Sequence, residues 1–324
     1  MRRAFGLVLA FAAALVAGGC LGVRVESRAP TDPEAPGKWQ SRATMTWGRQ
    51  EVSVIALDGK VYVIGGFGTT REPVDIVEVY DPAIDAWRTV APLPIPIHHA
   101  AAAVVDGRLF VVGGYTGGRV QSTTLGTVFE YDPRQNTWRG RAQMPTRRGA
   151  LAVVAVGGRL YALGGAADKA TNAHEVYDVA ADRWSKANPM PTARDHLAAV
   201  AFEGRVWALG GRESFLGTQY ANVEIYDPAT DSWQTGTPLA SARGGLAAAA
   251  LGDKIFVFGG EAPLRIWSAT EMYDRTINTW VAKAPMPTAR HGIGAAVVDG
   301  RIYVPGGAQE PGFAATDVNE VFTP

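Results

Sequence analysis

The sequence predicts an all-β fold in which six small antiparallel sheets surround a common axis. A hydrophobic strand pattern ends in a Gly-Gly pair six times, and the first glycines of these pairs are Gly65, Gly113, Gly164, Gly210, Gly259 and Gly306. Their spacings are 48, 51, 46, 49 and 47 residues, and a period near 50 residues is typical of a radial array of four-stranded sheets. Small residues are frequent in the first strand of each repeat, as in Gly-Leu-Ala-Ala-Ala-Ala over residues 245–250, which suits strands that converge on an axis.

One repeat shows the four predicted strands in order. Residues 197–202 form the first strand, and the Glu203-Gly204 turn leads to the second, residues 206–209. A third strand covers residues 222–226 and ends in Tyr-Asp, and Trp233 lies on the fourth. Aromatic side chains on the outer strands would fill the wider space between neighbouring sheets.

The order of double glycine, Tyr-Asp and Trp resembles the kelch repeat, and the resemblance covers roughly residues 37–324. It implies a six-bladed kelch β-propeller. Trp39 lies 26 residues before Gly65, as Trp87 lies 26 residues before Gly113, so Trp39 occupies a fourth-strand position. The last repeat ends without a tryptophan. We therefore expect the N-terminal strand around Trp39 to close the last blade and to cover two open strand edges.

The N-terminus has the pattern of an export signal. A positively charged start and an apolar stretch predict a signal peptide over residues 1–19. Residues 17–20 resemble the lipobox of bacterial lipoproteins, although Ala17 stands where leucine is usual, and the resemblance implies lipidation of Cys20. Residues 20–36 would then form a lipid-anchored tether. We expect an exported protein anchored at the bacterial cell envelope; the alternative is ordinary cleavage that leaves a free thiol.

Charge and motifs narrow the function classes. With 31 basic and 31 acidic residues, nothing resembles a nucleic-acid-binding face. No nucleophile elbow, metalloprotease helix or phosphate loop occurs, so we predict no catalytic residues and no cofactor. Copper-radical oxidases on kelch propellers need a cysteine cross-linked to tyrosine. Cys20 is the single cysteine and lies outside the repeats, so we exclude that chemistry. The propeller is expected to be a monomer.

Five arginines recur at one position of the repeat, sixteen residues before the double glycine. They are Arg49, Arg148, Arg194, Arg243 and Arg290, with Ile97 in the remaining repeat. One interpretation is a ring around the channel mouth that binds an anionic ligand. The other is structural: glutamates recur on the third strands, and the repeat with Ile97 has Phe129 instead. Buried Arg–Glu pairs, replaced once by an apolar contact, explain that exchange.

These arginines enter the first strands, so they share a face with the longer loops between the second and third strands of each repeat. We call it the variable face: it carries the strand 4–1 and strand 2–3 loops, and variable loops are where binding usually occurs. The other candidate ligand-binding residues on it are His98, His99, His196, Glu213, Trp267 and His291. A metal site is not predicted, because ligands must lie about 2.0–2.2 Å from the ion and side chains of opposite blades are expected to straddle a channel.

Three functions are compatible with these residues. The preferred hypothesis is a non-catalytic recognition module that binds a protein or glycan through the variable face. A second is an enzyme similar to the exported six-bladed kelch mutarotases that act on sialic acid, since arginine, histidine and Glu213 could supply acid–base groups and anchor a carboxylate. A third is a structural component of an envelope assembly.

Overall fold

The structure is a computed structural model that describes residues 23–27, 36–118 and 122–324. Over these residues the chain forms strands and turns without helices, and the all-β prediction is confirmed. No helix in the described ranges is long and apolar enough to cross a bilayer. The predicted signal peptide and Cys20 lie outside the described residues, as does most of the predicted tether.

Six four-stranded antiparallel sheets, blades 1 to 6, are present in the described part of the chain. Blades 1 to 3 comprise Ser53–Leu57, Lys60–Ile64, Val77–Asp81 and Ala86–Thr89; Ala101–Val105, Arg108–Val112, Val128–Asp132 and Thr137–Gly140; and Ala152–Val156, Arg159–Leu163, His174–Asp178 and Arg183–Lys186. Blades 4 to 6 comprise Ala198–Phe202, Arg205–Leu209, Val223–Asp227 and Ser232–Thr235; Ala247–Leu251, Lys254–Phe258, Thr270–Asp274 and Thr279–Ala282; and Ala296–Val298, Arg301–Pro305, Asn319–Thr323 and Lys38–Ser41.

The sheets are joined in a closed ring. The first strand of every blade contacts the first strands of both neighbours, and the ring is completed between blade 6 and blade 1. Lys38–Ser41 pairs antiparallel with Asn319–Thr323, so a strand from the N-terminus closes the last blade, as predicted. Trp39 there packs edge-on against Phe258 of blade 5, with ring centroids 5.6 Å apart.

The fourth-strand tryptophans tie each blade to the one before it. Each indole Nε1 donates a hydrogen bond of 2.7–2.9 Å to a backbone carbonyl of the preceding blade's final loop. Trp39 of blade 6 donates to Ala284, which follows the last strand of blade 5. Trp87 of blade 1 donates in the same way to Ala43, which follows the last strand of blade 6. The outer aromatic residues therefore hold neighbouring blades together.

Additional short strands lie outside the six blades, on the variable face. Arg49–Gln50 pairs with Phe67–Gly68, and Tyr115–Thr116 pairs with Thr123–Thr124. Arg24–Glu26 pairs in parallel with Arg265–Trp267, which is itself paired with Glu261–Ala262. Residues 24–26 of the predicted tether thus add a strand to the loop of blade 5.

Candidate functional site

The double glycines bring backbone segments together at the variable face. The residue after each recurrent arginine position pairs with the residue after the double glycine, as Asp195 does with Arg212. Gly211 has a φ of +103°, and a Cβ on it would lie only 2.8 Å from the Asp195 carbonyl oxygen. Glycine is required there because both the left-handed conformation and the close approach exclude a side chain. In every blade the residue two places after the arginine position therefore follows directly on a paired residue.

The five recurrent arginines do not line this face. All are fully buried, and each forms an ion pair of 2.5–3.0 Å with a third-strand glutamate. The pairs are Arg49–Glu78, Arg148–Glu175, Arg194–Glu224, Arg243–Glu271 and Arg290–Glu320. Ile97 and Phe129 lie together in an apolar cluster of the remaining blade. Of the two interpretations, the ring of arginines that binds an anionic ligand at the channel mouth is therefore wrong, and the structural interpretation as buried Arg–Glu pairs is confirmed.

Six backbone hydrogen bonds close a ring around the axis just beyond those arginines. Each residue two places after the arginine position donates its N–H to the carbonyl of the equivalent residue in the preceding blade, over 2.8–3.1 Å. We call these six residues the central ring: Glu51, His99, Ala150, His196, Gly245 and Gly292. All six have left-handed backbones, with φ between 50° and 64°. The ring fixes the backbone positions of these residues to one another across all six blades.

Three side chains of the central ring converge on the axis. One donor atom each of Glu51, His99 and His196 can be chosen so that all lie within 4.8 Å of one another. The Glu51 carboxylate lies 3.3 Å from His99 Nε2 and 4.0 Å from His196 Nε2. The other ring members are alanine or glycine, which leaves room for these three. The expectation that axial side chains only straddle a channel is therefore wrong.

A cavity of about 310 Å³, the central cup, opens above the ring. Its floor contains Glu51, His99 and His196, and four aromatic residues line its walls: Phe67, Tyr115, Phe215 and Phe313. The Phe67 ring stacks on His98 with centroids 3.9 Å apart. On the other side of the ring, a channel of about 410 Å³ is lined almost entirely by alanine and larger aliphatic residues of the innermost strands and the residues that precede them. The two spaces thus differ in chemistry, with polar groups concentrated at the ring and in the cup.

Charges in the cup are largely paired. Arg212 donates to Glu261 over 2.7 Å, lies 3.4 Å from an Asp195 oxygen and sits over the Phe215 ring at 5.3 Å. The guanidinium that lines the described part of the cup is thus already neutralised by two carboxylates. Burial lowers the pKa of His98 to about 4, and it also lowers the pKa of His99 well below its usual range. The described geometry favours neutral ligand groups over a strongly anionic one.

The other predicted residues divide between the cup and its surroundings. His98, His99 and His196 line the cup, whereas His291 is fully buried beside it and its Nε2 lies 2.8 Å from the Glu310 carbonyl oxygen. Glu213 is exposed and follows Arg212 outside the lining. Trp267 is buried in a small cluster with Ala262 and Ala269, so its expected exposure on the binding face is corrected.

Several cup residues were missed by the sequence analysis. Phe67, Tyr115, Arg212 and Glu261 all follow a double glycine directly, so one repeat position contributes four lining residues. Comparing that position across the repeats would have identified them. Phe215 and Phe313 come from loops of different length and have no common repeat position.

Curated relatives match parts of the chain. Kelch repeat and BTB domain-containing protein 12 of Danio rerio is 35% identical over 119 residues, covering 33% of this chain and 19% of the relative. Alpha-scruin of Limulus polyphemus is 29% identical over 132 residues, covering 40% and 14%. Kelch-like protein terF of Aspergillus terreus is 30% identical over 167 residues, covering 47% and 35%. The chain therefore matches well under half the length of each of these proteins.

A solved structure and a family model match most of the chain. The structure of YjhT aligns with a TM-score of 0.74 at 18% identity, covering 86% of this chain and 95% of that one, and this likeness shows the fold. The KLHDC2/KLHL20/DRC7 Kelch-repeats domain model matches residues 34–211 and 141–307. The two matches of the family model together extend over residues 34–307. The chain therefore belongs to the KLHDC2/KLHL20/DRC7 Kelch-repeats domain family.

Proposed function

We propose that this protein is a recognition module that binds one sugar residue of a glycan in the central cup. The observation that carries the proposal is a cavity of about 310 Å³ with four aromatic residues in its walls and carboxylate and imidazole groups at its base. Ligand pockets of this kind combine apolar walls with a few polar groups that fix orientation. A sugar ring offers both surfaces, since its C–H faces pack on aromatic rings and its hydroxyls donate to carboxylates.

The paired charges favour a neutral sugar. Arg212 is held by Glu261 and Asp195, and binding an anionic group would require it to leave one of them. Hydroxyl groups can instead add hydrogen bonds to Glu51 and Glu261 without breaking the existing pairs. This supports a glycan ligand over an acidic peptide.

The binding test uses a panel of neutral mono- and oligosaccharides with titration calorimetry and ligand-observed NMR. Phe215→Ala should weaken binding of the sugar that binds best by about fivefold, since an aromatic contact contributes about 1 kcal/mol. Phe215 is 38% exposed, so its truncation should leave the melting temperature unchanged. The matched control is Ile277→Ala, which removes an exposed apolar side chain from the opposite face. Equal affinities in both variants, or no binding by the panel, would contradict the proposal.

The second candidate is the sialic acid mutarotase-like enzyme. The observation that favours it is the Glu51, His99 and His196 cluster at the cup floor, because carboxylate and imidazole groups can transfer protons to and from a sugar ring. Mixing the protein with the α-anomer of sialic acid and following anomer conversion by NMR tests it. Acceleration that is lost in Glu51→Gln would support the enzyme, and a rate equal to that of buffer would remove it.

We also propose that the module is displayed at a bacterial cell envelope through acylated Cys20. The support is the N-terminal sequence pattern, with its apolar stretch and the small residues before the cysteine. Mass spectrometry of the mature N-terminus tests it directly. A diacylated or triacylated Cys20 is expected, and an unmodified cysteine would refute the lipid anchor.

A further inference from the structure

The central ring places three potential metal ligands on one axis, and this feature goes beyond glycan recognition. In a tetrahedral site with bonds of about 2.1 Å, ligand atoms lie about 3.4 Å apart. The Glu51 carboxylate and His99 Nε2 are already at 3.3 Å, and the same carboxylate and His196 Nε2 are at 4.0 Å. The remaining separations, none of them above 4.8 Å, would approach that spacing if His196 moved towards the other two ligands.

Asp195 orients His196 for this role. Its carboxylate lies 2.6 Å from His196 Nδ1, and a carboxylate can only accept, so Nδ1 carries the hydrogen. In the neutral ring Nε2 then presents a lone pair towards the axis. That atom is buried and has no hydrogen-bond partner among the described residues. A carboxylate behind a histidine whose other nitrogen is free is the arrangement that supports metal-bound histidines.

His98 orients His99 in a similar way. His98 Nε2 lies 3.3 Å from the Gly117 carbonyl oxygen, which can only accept, so in a neutral His98 the hydrogen resides on Nε2 and Nδ1 accepts. His98 Nδ1 is 2.6 Å from His99 Nδ1, which must therefore donate. The lone pair of His99 Nε2 is left facing the Glu51 carboxylate. Two imidazole lone pairs and a carboxylate are then directed at one another, and a cation between them would convert this repulsion into attraction.

We propose that Glu51, His99 and His196 bind a divalent transition-metal ion, for which zinc is the best match. Two histidines and one carboxylate with a remaining open position are the ligand set of many catalytic zinc sites. The open position would face the central cup, because the same three residues form its floor. The hydrogen-bonded backbone ring holds the ligands on three different blades, so little backbone ordering remains for binding.

Zinc binding is tested on protein prepared without a histidine tag and treated with EDTA. Calorimetric titration with Zn²⁺ should give one equivalent bound, and zinc should raise the melting temperature. Co²⁺ alone should give the visible absorption bands of a four-coordinate site with two nitrogen ligands and one oxygen ligand from the protein and a water in the open position. His196→Ala should weaken zinc binding at least tenfold, and Asp195→Asn should weaken it about 10- to 100-fold by removing the group that orients His196.

Two controls separate this site from incidental binding. Glu213→Gln removes an exposed carboxylate of the same face and should leave zinc affinity unchanged. Circular dichroism melts of the metal-free variants establish that each is folded before titration. The proposal is overturned if the folded wild-type protein binds no zinc, or if Glu51→Gln, His99→Ala and His196→Ala all retain wild-type affinity.

Discussion

The buried Arg194–Glu224 pair allows a quantitative test of the structural role of the recurrent arginines. Arg194 is fully buried, and its Nη1 lies 2.5 Å from a Glu224 oxygen. The same guanidinium also donates to the carbonyl oxygens of Thr192 and Ala208, at 3.2 and 3.3 Å. Replacing Arg194 with alanine would remove all three interactions and leave a buried carboxylate without its cation.

The expected loss of stability follows from that carboxylate. Glu224 would retain one donor, the Thr192 hydroxyl at 2.6 Å. Removing one partner of a buried pair costs about 3–5 kcal/mol, because the remaining charge cannot return to water. For a domain of this size the melting temperature should fall by roughly 6–20 °C. Urea unfolding followed by circular dichroism measures the free-energy change at one temperature.

Blade 2 provides the control for this experiment. It carries Ile97 and Phe129 where the other blades carry arginine and glutamate. The double variant Arg194→Ile with Glu224→Phe copies that combination, and it should recover at least half of the stability lost in Arg194→Ala, because an apolar pair of suitable shape can replace a buried ion pair. A wild-type melting curve for Arg194→Ala, together with lost sugar binding, would refute the structural assignment.

Three further perturbations test the closure, a buried histidine and a glycine. Deleting residues 37–45 removes the strand that closes blade 6, and the circular dichroism melt should lose its cooperativity; a parent-like melt would contradict this. Burial lowers the pKa of His174 to about 4, so the free energy of unfolding should be unaffected by this group above pH 6.5 and should fall by up to about 3 kcal/mol as the pH drops from 6.5 through 4. His174→Phe should flatten this acidic part of the urea-measured stability profile, and an unchanged profile would argue against the assignment. Gly211→Ala should destabilise by at least 2 kcal/mol more than Gly204→Ala, whose added Cβ meets nothing within 4 Å; equal urea midpoints would count against the close approach.

The architecture could be predicted because its causes recur six times. The spacing of the double glycines gave the period, and the isolated Trp39 gave the closing strand, since each feature could be compared with five others. The Arg–Glu pairs were accessible for the same reason: Ile97 and Phe129 depart from the pattern together. Internal comparison of repeats therefore replaced what a family alignment usually provides.

The cup was harder to predict because its chemistry lies in the differences between repeats. Phe67, Tyr115, Arg212 and Glu261 share one position but no common residue type, so no motif marks them. Trp267 was predicted on the binding face from its position in a long loop, yet the segment Arg24–Glu26 pairs with its strand and the indole is buried. Such long-range packing is not encoded in local pattern.

The central ring shows how function can be separated from fold at one repeat position. Every member adopts a left-handed backbone, and glycine, present as Gly245 and Gly292, meets that requirement without strain. Glu51, His99 and His196 adopt it at a cost of about 1 kcal/mol or more each, as non-glycine residues generally do. Ala150 adopts the same conformation without a polar side chain, so the backbone alone does not mark a site. What distinguishes Glu51, His99 and His196 is that their polar side chains meet on the axis, at positions where glycine would serve the fold equally well.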